Sequence, residues 1–589
     1  MAEQVTPKTG PQAQPRAPRS LGLSPAWWAL LAGAFLLVVY LTVLAFTTPN
    51  ACGYYEDDAI YLVTAKALAE GHGYRRIDLP GEPHQTKYPV LYPFLLSLVW
   101  RVAGEYPANL PWLRMVNVLL AAGAVLLGVW YAARHLPLGK LGVGALAVLC
   151  LTTPELRLYS YFTMSELLFA GLALAALILA ERAVTVVGRG TVASAILCGL
   201  VAGLAFLSRS IGLTLIVALV VWGLYRKRFA LVAWCGVFGV VLVGGYWLWR
   251  HNAVAADGAV QQAALLQYEL DYGAWLPRSV GEAARVVYQN SFRVAFNNFF
   301  FILRLPVEWL QSANADGGWR LVLVHLGVWV CLPVSLIGFL ASARSRLTAA
   351  HVFLLAYTGA VLLWPFEPLR FLAPVFVFVI AFHLLGWSYL AGWLGRVRLL
   401  PRLRSPFPQL VALAACVCLT GLYVAYHRAL LGFDGQTCRV FNKTVNLAEH
   451  HRVTDQLRQN APPDAVIAAH SAPEVYLATG RKAVNQLPSV DPIGYAYSPS
   501  RDWRTFYMVE TPEEAERMRV VALAQLDQAY REVGVRFLIV AGRNPPAIQA
   551  ALAAHRAVAP DRYRIVYRPA DANVAVFELL DVPSASPPR

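Results

Sequence analysis

Residues 52–93 read CGYYEDDAIYLVTAKALAEGHGYRRIDLPGEPHQTKYPVLYP, and they hold the densest group of chemistry-bearing side chains in the chain. Glu56, Asp57 and Asp58 stand side by side just ahead of AIYLVTAKALA, a helix-forming run that stops at Gly71 and Gly73. Three adjacent carboxylates repel one another and raise their own pKa values. Positive charge is therefore expected beside them, as a basic side chain or a divalent cation, and the residue types assign no metal. A carboxylate of this kind suits a general base that takes a hydroxyl proton. The other reading is an acid capping a helix N-terminus, where the helix dipole favours it. Lys87 follows in KYPVLYP, Glu166 in YSYFTMSELLFA, Arg209 in FLSRSIGL and Arg370 in WPFEPLRFLAP. Charge in such apolar settings is costly and marks functional positions. For Lys87 the competing role is snorkelling at an interface. A single arginine suits a lipid phosphate, whereas several that converge hold an anionic substrate. His72 and His84 are isolated and read as loop residues.

These residues sit between long apolar runs. Of 589 residues, 57% are hydrophobic and 14% charged, with a mean hydropathy of +0.49. Soluble chains carry roughly 25% charged residues, so a cytosolic or secreted enzyme, a coiled coil and a disordered chain are excluded. Membrane-spanning helices are expected at 26–46, 112–133, 141–154, 164–180, 191–208, 211–225, 229–249, 319–341, 348–364, 371–395 and 407–427, since a span needs ~20 mostly apolar residues. The first run lacks a small-residue cleavage site after it and reads as an anchor. Residues 1–25 read as a disordered tail.

Segment 89–104 is short, opens on two prolines and carries Arg101. Left in the interface, it gives eleven crossings. The basic clusters at Lys8/Arg16/Arg19, Arg134/Lys140, Arg182/Arg189, Arg226–Arg228, Arg344/Arg346 and Arg396–Arg404 then share one side. Those segments hold 16 Lys and Arg against Glu3 and Glu181, which is +14 of the net +15. The basic balance is orientation by the positive-inside rule, not a nucleic-acid footprint. The N-terminus is expected in the cytoplasm and the C-terminus outside, in a multi-pass plasma (inner) membrane protein. The outward segments are then 48–88, 155–165, 250–318 and everything from 428. Within 250–318, SFRVAFNNFFFILRLPVEWL suits an interfacial helix.

The expected architecture is a polytopic α-helical membrane domain over 26–427 followed by an extracytoplasmic α/β domain over 428–589. In the latter, Thr511-Pro-Glu-Glu514 is a capping box, Gly534 a helix stop, and 465–470 and 535–541 read as strands. A hairpin is expected to turn about Asp571–Asn573. Six of the eight cysteines lie in or beside apolar runs; Cys52 and Cys438 fall on the outer side, where a disulfide between them stays open. No zinc spacing, Walker loop, dinucleotide loop or nucleophile elbow occurs.

Asp57-Asp58-Ala-Ile-Tyr61, opening a juxtamembrane helix, resembles the Asp-Glu-x-x-Tyr-like start of GT-C glycosyltransferases. Thirty residues on, Lys87-Tyr-Pro89-Val-Leu-Tyr92 resembles their Lys-Pro-Pro-Leu-Tyr-like segment, with Tyr88 standing between lysine and proline. Within that superfamily the chain looks most like bacterial relatives of the protein O-mannosyltransferases and of the lipid A aminoarabinose transferase. The resemblance implies a fold of GT-C type. It also implies a polyprenyl-phosphate sugar as donor, an extracytoplasmic acceptor (protein, lipid or glycan), and transfer of a hexosyl or pentosyl group with inversion. Under it Asp57 is the base, and Asp58 and Glu166 orient the acceptor, bind a cation or tune Asp57. Lys87 and Arg370, with Arg209 third, hold the donor phosphate. Two other classes stay open: a transporter or flippase of a lipid-linked substrate, and a non-catalytic scaffold or sensor. Against the transporter, the sequence has no internal repeat.

Overall fold

A computed structural model describes residues 24–50, 52–258, 260, 263, 265–271, 276–304, 318–365, 368–396, 407–434, 437–440, 443–486, 526, 528–540, 553, 556–557, 560–568 and 574–580. The tail 1–23, the capping box at Thr511–Glu514 and the turn at Asp571–Asn573 lie outside these residues, as does the side chain of Cys438.

All eleven expected spanning segments fall on helices. Among the described residues eight helices are long and apolar enough to cross a membrane: Pro25–Thr47, Leu110–His135, Lys140–Tyr161, Glu166–Thr185, Arg189–Ser208, Phe229–Asp257, Val322–Ser345 and Leu369–Trp393. The expected segments 211–225, 348–364 and 407–427 fall on the shorter apolar stretches Ser210–Tyr225, Ala349–Leu363 and Ala414–Tyr426. The doubtful segment forms Leu91–Ala103, whose 13 residues reach only about 20 Å at ~1.5 Å per residue. The chain is a polytopic helical membrane protein. Its lipid-facing surface explains the exposure of Phe35, Leu36, Val43 and Trp329, which in water would be a liability.

Small residues set how closely the helices pack. A Cβ on Gly338 would lie 1.9 Å from the Phe382 carbonyl oxygen, and one on Gly386 would lie 1.9 Å from that of Val334. The two glycines thus let the helices Trp319–Ser345 and Phe376–Arg396 meet backbone to backbone, as small residues do in bilayers.

The helix Asp57–Ala69 is enclosed. Ten of its 13 residues are buried, so it is a core element rather than an amphipathic surface helix. It packs on Leu91–Ala103. It ends where the sequence says: the His72 amide reaches back to the Ala67 carbonyl at 2.9 Å and Gly71 takes φ +84°, a glycine-terminated C-cap.

After the last apolar helix, Phe407–Leu430, come β1 (Leu431–Asp434), β2 (Thr437–Val440) and β3 (Lys443–Asn446), an antiparallel meander. A five-stranded sheet follows, built from β4 (Val466–Ala469), β5 (Ala483–Asn485), β6 (Val535–Val540), β7 (Tyr563–Tyr567) and β8 (Ala575–Leu579) in the order β5-β4-β6-β8-β7. Strands β5, β4 and β6 run parallel. The expected terminal hairpin is β7 against β8, antiparallel. This C-terminal region rests on the first loop: the helix Ala472–Thr479 packs on Asp57–Ala69, and Lys482 Nζ donates to the Ile77 carbonyl at 2.6 Å.

Candidate active site

Three adjacent acids point three ways, and one backbone feature separates them. Glu56 has φ 62° and ψ −50°, and the Asp57 amide donates to the Tyr55 carbonyl at 2.7 Å. This is a γ-turn of the positive-φ kind, rare and strained for a side-chain-bearing residue. Glu56 is the residue that precedes the helix, yet no side chain caps that end. The acids are therefore not helix caps.

Asp58, fully buried, turns back to accept from the Gly53 amide at 2.7 Å and the Tyr55 amide at 3.2 Å. It ties down the turn that presents its neighbours. Burial, opposed by these two amides and reinforced by Glu474, pushes its carboxyl up to about 7.

Asp57 faces the core of the site. One oxygen accepts from the Tyr88 hydroxyl and the other from Arg370 Nη1 at 2.7 Å. Arg370 Nε donates to Glu166 Oε1 at 2.9 Å, so one guanidinium bridges two carboxylates. Arg209 pairs with the same Glu166 oxygen at 2.7 Å and donates to Ser165 Oγ at 3.1 Å. Ser165 in turn meets the Tyr61 hydroxyl at 3.0 Å. Glu166 is wholly buried, and its Oε2 has no hydrogen-bond partner among the described residues. Burial works to raise the Asp57 carboxyl, but Arg370, Lys87 and the Tyr88 hydroxyl outweigh it and hold it below the ordinary carboxylate range. The Arg370 guanidinium also lies 5.6 Å from the Tyr55 ring centre, a cation–π distance.

Glu56 faces a second cluster. Here Lys87 lies in the field of Glu269, Asp57 and Glu56, and its burial lowers its pKa. Glu269 accepts from Arg76 at 2.9 Å and from Asn485 of β5. Arg76, with no exposed surface, also grips Asp78 through two bonds of 2.9 and 2.7 Å. The segment that carries Lys87 is held from several sides. Tyr246 and Arg250 donate to the Thr86 carbonyl at 3.2 Å each, and Tyr74 donates to the Tyr88 carbonyl at 3.0 Å. His84, read from sequence as an isolated loop residue, instead clasps Asp257 at 2.8 Å. His72 stays at the surface.

All six residues singled out by type and spacing meet in this region: Asp57, Glu166, Arg370 and Arg209 in one ion network, Lys87 beside Asp57, and Asp58 behind it. The positive charge expected near the acids is supplied by Arg370, Arg209 and Lys87. Among the described residues no group of three or more His, Cys, Asp or Glu has the arrangement of a metal site. Tyr88, Ser165, Glu269, Arg76 and Asn485 were missed. Only Tyr88 carried a signal, as the residue interposed between Lys87 and Pro89.

No family model matches the sequence, and neither does any curated protein. The fold does have solved counterparts. ArnT from Cupriavidus metallidurans in the apo state superposes with a TM-score of 0.51 at 12% identity, over 94% of this chain and 98% of that one. ArnT of the same organism bound to undecaprenyl phosphate gives 0.50 at 11% identity, over 95% and 99%. The chain has the GT-C fold. The superposition extends along nearly the full length of both chains.

Proposed function

We propose that the protein is a membrane glycosyltransferase that moves a sugar from a polyprenyl-phosphate donor to an acceptor at the extracytoplasmic face of the plasma membrane, with inversion. The observation that carries this reading is the Arg370 bridge between Asp57 and Glu166, bordered by Lys87, in a GT-C fold. A departing lipid phosphate needs positive charge at its oxygens, and an incoming hydroxyl needs a carboxylate to take its proton. Both are present within one network.

The charged side chains of the site pair with one another. Asp57 is ionised at neutral pH but engaged by Arg370, which makes it a weak base. A donor phosphate arriving between Lys87 and Arg370 competes for the guanidinium and frees Asp57 to accept the acceptor's proton. Glu166, fixed through one oxygen by Arg209, keeps Oε2 free to orient the acceptor hydroxyl. Asp58 acts on the geometry of Asp57 rather than on substrate. The undecaprenyl phosphate bound to the superposed ArnT supports a lipid-linked donor here. The orientation, with N-terminus cytoplasmic and 428–589 forming an outer domain, follows from the one-sided basic loops.

The test supplies purified protein in nanodiscs with radiolabelled polyprenyl-phosphate sugars, wild type beside Asp57→Asn. Donor loss with the wild type and none with the variant is expected. Equal turnover in both would remove Asp57 as the base. No turnover of any donor by the wild type would count against the transferase itself.

A further inference from the structure

Glu56 has no part in the base network, yet its placement is costly and specific. The γ-turn aims it away from Asp57 toward Glu269, and the two carboxyls sit in hydrogen-bonding contact with Lys87 alongside. Two carboxylates in contact share one proton, because like charges at that range do not both ionise. Which one carries it follows from their partners. Glu269 accepts from Arg76 on one oxygen and from Asn485 on the other, and donors on both oxygens favour the ionised form. Glu56 has a buried Oε1 with no hydrogen-bond partner among the described residues.

We propose that Glu56 holds a proton beside Lys87 and passes it to the departing lipid phosphate, while Glu269 and Asn485 position it. This rests on the transferase reading above. As the acceptor oxygen bonds to the anomeric carbon, the electron pair of the breaking carbon–oxygen bond stays on the phosphate. A phosphodiester with one negative charge thereby becomes a monoester with two. The second pKa of such a monoester is about 6. The Glu56 proton moves to that oxygen and the acceptor's proton moves to Asp57; once the products leave, Asp57 gives its proton to water and Glu56 takes one back. Charge on the phosphate side never rises above one, so Lys87 and Arg370 release the spent lipid.

The groups facing Glu56 support a proton held there at neutral pH. Burial and then the Glu269 charge raise its pKa well above the ordinary range, with Lys87 and Asn485 working the other way. Arg76 pairs with both Glu269 and Asp78, while Lys87 lies in the field of Asp57 as well as of Glu56, and Arg370 pairs with Asp57. The proposal also gives the C-terminal sheet region a task, since Asn485 is its contribution to this cluster.

The experiment is donor turnover against pH for wild type, Glu56→Gln and Glu269→Gln, with thermal shift by undecaprenyl phosphate as the check that each variant folds and binds. An acid is active while protonated, so wild-type kcat should fall as pH rises through the raised Glu56 pKa. Glu56→Gln should lose about 10²-fold in kcat at neutral pH, keep KM for the donor, and lose that alkaline limb. Glu269→Gln removes the neighbouring charge and should shift the limb to lower pH. Unchanged kcat and limb in Glu56→Gln would overturn the assignment, as would a change in KM alone. If Glu56→Gln fails to fold, an unshifted limb in Glu269→Gln overturns it instead. Absence of turnover in the wild type is a different result, the failure of the transferase reading.

Discussion

Replacing Arg370 by Met removes the cation that Asp57 and Glu166 share. Breaking a buried ion pair by deleting one partner costs about 3–5 kcal/mol, because a charge is left without compensation. Asp57 is 8% exposed and Glu166 0%, so both belong to that regime. Two features reduce the cost. Glu166 keeps Arg209 at 2.7 Å and Asp57 keeps the Tyr88 hydroxyl. Arg370 itself is 24% exposed, which admits water when the side chain is cut back. A loss of about 2–3 kcal/mol is expected for Arg370→Met. Glu166→Gln strands two guanidinium groups in part and should cost a similar amount. In the double variant the broken interaction is counted once, so the two losses should fall short of additivity by about 1–2 kcal/mol. Equilibrium unfolding of the four proteins in mixed micelles, followed by tryptophan fluorescence, measures this coupling. Additivity within about 0.5 kcal/mol would refute the claim that one guanidinium ties the two acids together. In turnover assays Arg370→Met should also lose 10²-fold or more, roughly the cost of removing one preorganised donor from a developing anion.

Three further perturbations probe the surroundings. Tyr88→Phe removes a hydrogen bond that favours the Asp57 carboxylate. The Asp57 pKa should rise, so turnover, which is lost as pH falls through that pKa, should start to fall at a higher pH than in the wild type; superimposable acid limbs would contradict this. Asp58→Asn should change how stability depends on pH. Burial, countered by the Gly53 and Tyr55 amides, lifts the folded carboxyl to about 7, against roughly 3.9 when unfolded. The folded state therefore binds more protons in between, and stability should decline from about pH 4 to about pH 7 in the wild type and stay flat in the variant. Gly53→Ala places a methyl group 2.2 Å from Ser471 Oγ at φ +77°. It should loosen the contact between the first loop and the C-terminal region, read as faster hydrogen exchange in 465–486 with the spanning helices unchanged.

Much of the fold was legible because a bilayer imposes a simple rule on length and polarity, so that each long apolar run reads as a helix. The residues of the ion network were legible for a related reason: a lone Glu166 or Arg370 amid apolar neighbours is conspicuous. Their pairing was not, since Arg370 lies 313 residues from Asp57 and 204 from Glu166, and no local pattern encodes such a meeting. Glu269 and Asn485 sit in polar stretches where acids and amides are ordinary, so nothing set them apart. The separate fates of Glu56, Asp57 and Asp58 depend on one positive-φ residue that is not glycine, which residue type does not signal.

The 313-residue gap between Asp57 and Arg370 also has a bearing on how the molecule is made. At about 5–20 residues per second, Arg370 leaves the ribosome roughly 15–60 s after the acids it neutralises. Arg209 arrives earlier but on the Glu166 side, and Asn485 later than either. Through that interval Lys87 is present but the guanidinium that pairs with Asp57 is not. The enclosed helix Asp57–Ala69 can reach its final burial only after the late helices and the C-terminal sheet have come down upon it. Burial of this helix is thus expected late in biogenesis, and a chain interrupted before 370 carries the acids of the first loop without the guanidinium that pairs with Asp57.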